Sequence, residues 1–235
     1  VVTNMSSVLK IYGEPFSVST LPVLMTAAEG GIPYELIEVP LEQGGQLTPE
    51  YRKMNPMHCV PTIDDGGFVM WEARAISKYL CGQYNLPDHF YPKDVKKRAV
   101  CDMALDLHQG VFYPNITFKV LYPACGFAHK PKEEEIERSK KALDEDIWPA
   151  LQKFIAMGDG PLLGGENPNV ADFFFALHIY MIAGRCPDSF VASHAGLTGY
   201  LAAVKAKCPR WGEYITAGAE EFFSPSGHVC PFVPH

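Results

Sequence analysis

The spacing of apolar side chains follows one rhythm up to about residue 87 and another beyond it. Val8 to Tyr12 is a short apolar run ending at Gly13, which predicts a buried strand. Pro22 to Glu29 predicts a helix, because proline suits a first turn and Gly30-Gly31 supplies a stop. Tyr34 to Val39 alternates apolar and polar residues and predicts a second strand. Glu42 to Thr48, with Gly44-Gly45, reads as a loop, and Pro49 to Met54 as one helical turn. Thr62 to Asp64 and Phe68 to Trp71 flank Asp65-Gly66-Gly67, a hairpin pattern. Glu72 to Tyr84 then places Ala75, Ile76, Tyr79 and Leu80 at helical spacing.

Strand patterns stop there. Leu86-Pro87-Asp88 and Tyr91-Pro92 read as a linker, and helical patterns follow at about 94–122, 132–157, 170–184, 196–207 and 210–221. Pro114, Pro149 and Pro209 are expected to break or bound them. Strand, helix, strand, helical turn, hairpin and helix is a thioredoxin-like order. The fold class expected is therefore an α/β thioredoxin-like N-terminal domain, residues 1–87, followed by an all-α C-terminal domain, residues 88–235.

Composition narrows the functions. A length of 235 residues fits two compact domains, and 47% hydrophobic with 20% charged residues is ordinary for a globular core. The net charge of -7 argues against a general nucleic-acid binder, which needs a positive surface to displace counterions. Seven scattered cysteines without a CxxC pair read as reduced thiols rather than a disulfide framework or a zinc site, so no metal is expected. No basic segment followed by an apolar run precedes the first strand, so no secretory signal is expected. The apolar stretch Phe173 to Gly184, which contains His178, is too short to span a bilayer and reads as a buried helix. A cytoplasmic location follows as the expectation.

The most specific stretch is Asn55-Pro56-Met57-His58-Cys59-Val60-Pro61-Thr62, continued after the hairpin by Trp71-Glu72-Ala73-Arg74-Ala75-Ile76. With Tyr91-Pro92-Lys93, Lys97-Arg98-Ala99-Val100, Leu162-Leu163-Gly164-Gly165 and Asn169-Val170-Ala171-Asp172, it resembles the cytosolic glutathione transferases, most closely the delta and theta classes. The resemblance covers most of the chain and is densest in the first half. It implies conjugation of glutathione, as co-substrate, to small hydrophobic electrophiles in a homodimer, with detoxification as the usual role.

The resemblance also implies the site. Val60-Pro61 is expected to be a cis peptide, with the Val60 backbone pairing with glutathione's cysteinyl backbone like an added strand. Glu72 would hold the γ-glutamyl ammonium. The γ-glutamyl carboxylate would sit at the helix start by Ala73, with Arg74 adding positive charge. Gln46, His58 and the backbone around Cys59 are expected at the glycyl end. Ser17 falls on the family's activating serine. Free thiols ionise near pH 8.5, and lowering that by about two units takes roughly 2.7 kcal/mol in favour of the thiolate. A hydroxyl donor beside a helix N-terminus can supply it. Ser19 is the rival, and either serine could instead cap the helix; Ser17 is favoured for catalysis and Ser19 or Thr20 for capping.

Five positions depart from the family pattern, two of them close chemical swaps: Gln46 stands where many delta-class proteins carry a histidine, and Asn169 where the family has a serine or threonine. Ala73 replaces a serine, Leu21 an arginine, and His108 an acidic residue; a lone helical histidine reads as structural. Asn169 and Asp172 form a helix-start pair whose role is folding. Phe112 and Tyr113 are candidates for the electrophile pocket, as are the tail aromatics Phe222, Phe223 and Phe232. A non-catalytic interaction module, like the transferase-like domain of a translation elongation factor subunit, is the alternative function.

Overall fold

A computed structural model describes residues 8–158, 160–215, 220 and 222. Strand β1 (Leu9–Gly13) is followed by helix α1 (Thr20–Glu29) and by β2 (Tyr34–Glu38), which pairs parallel to β1 with Leu9 opposite Tyr34. The expected hairpin forms as β3 (Thr62–Asp65) and β4 (Phe68–Trp71). Its turn residues Gly66 and Gly67 both have positive φ, 63° and 94°, a conformation that only glycine adopts freely. β3 also runs antiparallel to β1, giving a mixed sheet of order β2-β1-β3-β4, the thioredoxin-like arrangement.

Residues 41–47, expected as open loop, form two 3-10 turns, Leu41–Gln43 and Gly45–Leu47, hinged at Gly44 with φ 71°. Helix α2 (Pro49–Met54) follows, capped by the Thr48 hydroxyl, which accepts from Tyr51 N–H. Helix α3 (Ala73–Gln83) completes the first half.

The remainder is helical. Helix α4 (Val95–Leu107) is capped by Asp94, whose carboxylate accepts from the N–H groups of Lys96 and Lys97. Pro114 does not break the next stretch. The coil instead widens to a π-type helix over His108–Leu121, with Pro114 inside it. Proline has no N–H to donate at any pitch, so one bond is missing there, and the neighbouring bonds of the wide coil carry the helix past it. One turn, α5 (Tyr122–Ala124), precedes α6 (Glu133–Ala142), a second wide stretch (Leu143–Ile147) and α7 (Trp148–Met157). Pro149 therefore sits in the first turn of α7 without interrupting it. Then come α8 (Val170–Arg185), α9 (Ala195–Ala206) and α10 (Trp211–Tyr214). Much of the helical span expected beyond α10 lies outside the described residues.

Two helices organise the interior. Every residue of α1 from Thr20 to Ala28 is buried, because α1 packs against α3 on one side and α8 and α10 on another. α8 is apolar almost all round and sits in the middle of the helical half, as such a helix must. Its start is fixed by reciprocal bonds: the Asn169 side chain accepts from Asp172 N–H at 3.1 Å, and the Asp172 carboxylate accepts from Asn169 N–H at 2.8 Å. Asp172 also accepts from Leu163 N–H, Gly164 N–H and the Tyr200 hydroxyl, tying the preceding loop and α9 to the same carboxylate.

Candidate functional site

The turn between β1 and α1 carries Ser17. Gly13 lets this turn close against the helix, since a side chain there would meet Thr20 at 2.6 Å. Ser17 Oγ accepts from the N–H groups of Ser19 and Thr20, at 3.3 and 3.4 Å. This corrects the expected division of labour, because Ser19 makes no side-chain cap bond and Thr20 Oγ1 is buried without a partner. The hydroxyl two residues upstream of Ser19 reaches the first amides of the helix better than one already at the helix edge. Ser17 is half-buried, and its oxygen accepts from the helix start, which leaves its own proton available to donate.

The second piece is the loop to β3. Val60-Pro61 is a cis peptide, as expected. Its shape is held by two buried side chains to which the sequence reading assigned no role. Tyr51 donates its hydroxyl to Cys59 C=O at 2.7 Å, and Asn55 Nδ2 donates to the same carbonyl at 2.9 Å and to Thr62 Oγ1 at 3.0 Å. His58 and Cys59 are exposed and Val60 half-buried. Although Cys59 is exposed as a whole, its sulfur is partly covered beside Asn55; this desolvation pushes the thiol up, and the nearby Glu72 charge adds to that effect. Gln46 stands on the second 3-10 turn with Oε1 buried and unpartnered, and no hydrogen bond or ion pair joins it or His58 to the other candidates.

The third piece is the start of α3. Glu72 is exposed at the N-cap in a left-handed conformation, φ 75°, and caps nothing with its side chain. A non-glycine residue held there marks a constrained position. The first bond of α3 runs from Ile76 N–H to Glu72 C=O, which leaves the amides of residues 73–75 outside the helical ladder. Ala73 is buried beside them.

Arg74 does not project over the helix start. Its guanidinium crosses to the helical half and donates to His108 Nδ1 at 2.6 Å, with Phe174 beneath it at 4.9 Å. Burial lowers its pKa to about 10, while Tyr113, Glu72 and Asp106 support its charge. His108 is fully buried and neutral, its pKa driven well down by burial and by the neighbouring His178 and Arg74. A neutral imidazole thus stands where the family pattern has a carboxylate, and Arg74 keeps its full charge.

Tyr113 faces this junction. Its phenol is raised by burial, and the Tyr122 hydroxyl, the Ser19 side chain and the Arg74 charge all act on it in the opposite sense. Phe112 does not join it. It is fully buried against His108 and Phe175, so the expectation that it lines the electrophile pocket is corrected. The wide coil turns one of the two adjacent aromatics into the core and the other toward the junction. Phe222 stacks on Phe16, beside Ser17, with ring centroids 4.3 Å apart. Phe223 and Phe232 lie outside the described residues. Among the described residues no cluster of side chains could hold a metal, and no helix is long and apolar enough to cross a membrane.

A thioredoxin-like sheet, a cis-proline loop, an open helix start and an all-helical second half together define the glutathione transferase class. Residues 16–83 match the family described as glutathione S-transferase, N-terminal domain. The chain is 37% identical to glutathione S-transferase D6 of Drosophila melanogaster over 164 residues, 70% of this chain and 73% of that protein. It is 33% identical to glutathione S-transferase theta-2B of Homo sapiens over 168 residues, 70% of this chain and 67% of that protein. The structure of Bombyx mori glutathione transferase BmGSTD1 superposes with a TM-score of 0.79 at 28% identity, covering 93% of this chain and 97% of that one. The chain belongs to the cytosolic glutathione S-transferase family of enzymes.

Proposed function

We propose that the chain conjugates glutathione to small hydrophobic electrophiles, with Ser17 stabilising the thiolate. The observation that carries this is the double backbone bond to Ser17 Oγ. Two amides at the positive end of α1 draw on the oxygen and leave the hydroxyl proton to donate to sulfur. The tripeptide would lie along the Val60 backbone, with Glu72 taking the ammonium and the open amides at residues 73–75 taking the γ-glutamyl carboxylate. His58, Cys59 and Gln46 would meet the glycyl end. Arg74, held away at His108, would act on the γ-glutamyl end through its charge. Tyr113 would face the electrophile.

The proposal extends to organisation. The domain boundary is placed at residues 87 and 88. The exposed apolar side chains Phe68, Val95 and Met103 support a homodimer, which should sediment at about twice the 26.0 kDa chain mass. A cytoplasmic role in detoxification completes the reading.

The test is the ultraviolet absorbance of the bound thiolate against pH, with glutathione saturating. Ser17→Ala should move the thiol pKa back toward 8.5, the free value. Activity should fall near neutral pH and partly return at alkaline pH. Ser19→Ala should leave the thiol unchanged; the opposite result would exchange the two roles. No binding up to millimolar glutathione would restore the interaction-module alternative.

A further inference from the structure

His178 is a fully buried histidine in the middle of α8, and both of its ring nitrogens are engaged. Nε2 lies 3.1 Å from the carbonyl oxygen of Val18, 160 residues away in sequence. Nδ1 lies 2.9 Å from Thr117 Oγ1 in the wide stretch after α4. A carbonyl only accepts, so Nε2 carries the proton and donates to Val18, and Nδ1 accepts from the Thr117 hydroxyl. Thr117 is itself fully buried, so this tautomer is fixed by the fold rather than by solvent.

Val18 is the residue between Ser17 and Ser19. Its carbonyl is where the backbone of the turn carrying Ser17 is fastened to α8, while the Ser19 side chain and the Phe16 ring meet Tyr113 and Phe222 elsewhere in the helical half. The bonds within the turn's own backbone are local: Ser17 N–H to Glu14 C=O, and the Thr20 and Leu21 amides to Ser17 C=O, each at 3.0 Å. These bonds set the turn's internal shape. They do not hold that backbone against α8, which the His178 bond does.

We propose that His178, oriented by Thr117, is a positioning residue for the glutathione thiolate: it pins the Val18 carbonyl and thereby aims the Ser17 hydroxyl at sulfur. This rests on the reading that Ser17 is the thiolate's donor. A hydrogen bond weakens steeply as its angle leaves linearity, so a small rotation of the turn removes most of the stabilisation. The imidazole touches neither glutathione nor electrophile and exchanges no proton. Its effect should therefore appear in thiol ionisation and kcat, and not in the KM for glutathione.

The experiment compares His178→Leu, His178→Gln, Thr117→Val and Ser17→Ala in the full chain, reading bound-thiol pKa, kcat, KM and Tm. His178→Leu is expected to raise the thiol pKa by about one unit, which is tenfold less thiolate below that pKa. His178→Gln, whose amide can donate to Val18 and accept from Thr117, is expected to restore it. Thr117→Val, which frees the ring to adopt the other tautomer, is expected to shift the pKa in the same direction by less. In a Ser17→Ala background, His178→Leu is expected to add nothing to the thiol shift, the pattern of two groups acting as one. A lowered Tm with unchanged thiol pKa in His178→Leu would reduce His178 to a packing role and overturn the proposal. Should His178→Leu not fold, an unchanged pKa in Thr117→Val would overturn it equally. If Ser17→Ala itself leaves the thiol pKa unmoved, the Ser17 reading has failed. If Ser17→Ala moves it and neither partner variant does, only the positioning role has failed.

Discussion

Restoring a hydroxyl at the start of α3, by Ala73→Ser, should tighten glutathione binding by about tenfold. The amides of residues 73–75 stand outside the helical ladder, and Glu72 contributes no side-chain cap, so this end of α3 is open to an anion. A serine there would add one donor to the γ-glutamyl carboxylate. A hydrogen bond to a charged group contributes about 1.5–3 kcal/mol, and each 1.4 kcal/mol is a tenfold change in affinity. The lower end applies, because the carboxylate already has the amides and one further donor shares it. Ala73 is only 6% exposed, so the hydroxyl has little water to compete with, and an unchanged Tm would show that it fits. Calorimetry at neutral pH would compare both proteins with glutathione and with an analogue lacking the γ-glutamyl carboxylate. The gain should vanish with the analogue, and the bound thiol pKa should not move. Unchanged or weaker binding of glutathione would mean that another group already fills the place. An equal gain with the analogue would mean that the carboxylate lies elsewhere.

Asp172→Ala should remove the partner of three amides, two of them buried, and one buried phenol. With partial relaxation the loss is about 4 kcal/mol, which lowers Tm by about 10 °C in a chain of this size; a loss of only a degree or two in calorimetry would mean that the loop and α9 are fastened otherwise. Stability should also fall on acidification, because His178, held down to about 3, and His108 resist protonation in the fold but accept it when unfolded. For His178 the contribution is full above the unfolded value near 6.5 and is lost as the pH falls toward 3, at about 1.4 kcal/mol per pH unit, and His108 acts in the same direction. Asp172, pushed up to about 6 by burial, works in the opposite sense between about 6 and 3.8. His178→Gln should therefore flatten Tm against pH by one histidine's share, and an unchanged slope would refute the assignment.

The four strands, the hairpin turn and the capped start of α8 were legible because each is written in neighbouring residues. Asp65-Gly66-Gly67 sets its own backbone, and Asn169 with Asp172 closes its own box. The junction was not legible in that way. Arg74 meets His108 across 34 residues, and His178 meets Thr117 and Val18 across 61 and 160. Such pairs depend on how two halves dock, and no local spacing announces them. Phe112 and Tyr113 are adjacent, and the choice between core and junction turns on a wide coil that helical periodicity misreads. Ser17 and Ser19 both suit a cap by residue type; only the path of the turn brings the Ser17 hydroxyl to the amides of Ser19 and Thr20.

The burial of α1 on almost every side bears on how the chain can be divided. Leu21, Val23, Leu24, Met25, Ala27 and Ala28 of α1 belong to one apolar cluster that includes Leu9 in the sheet and Val204 in α9. Arg210 adds a clasp, donating to the Ala28 carbonyl at 2.8 Å and, through its amide, to the Glu29 carboxylate. Cutting at the linker would leave the outer face of α1 bare to water, an apolar patch on a fragment too small to compensate for it. The two halves should accordingly melt together as one cooperative unit, and a protease that nicks the linker should release no surviving piece.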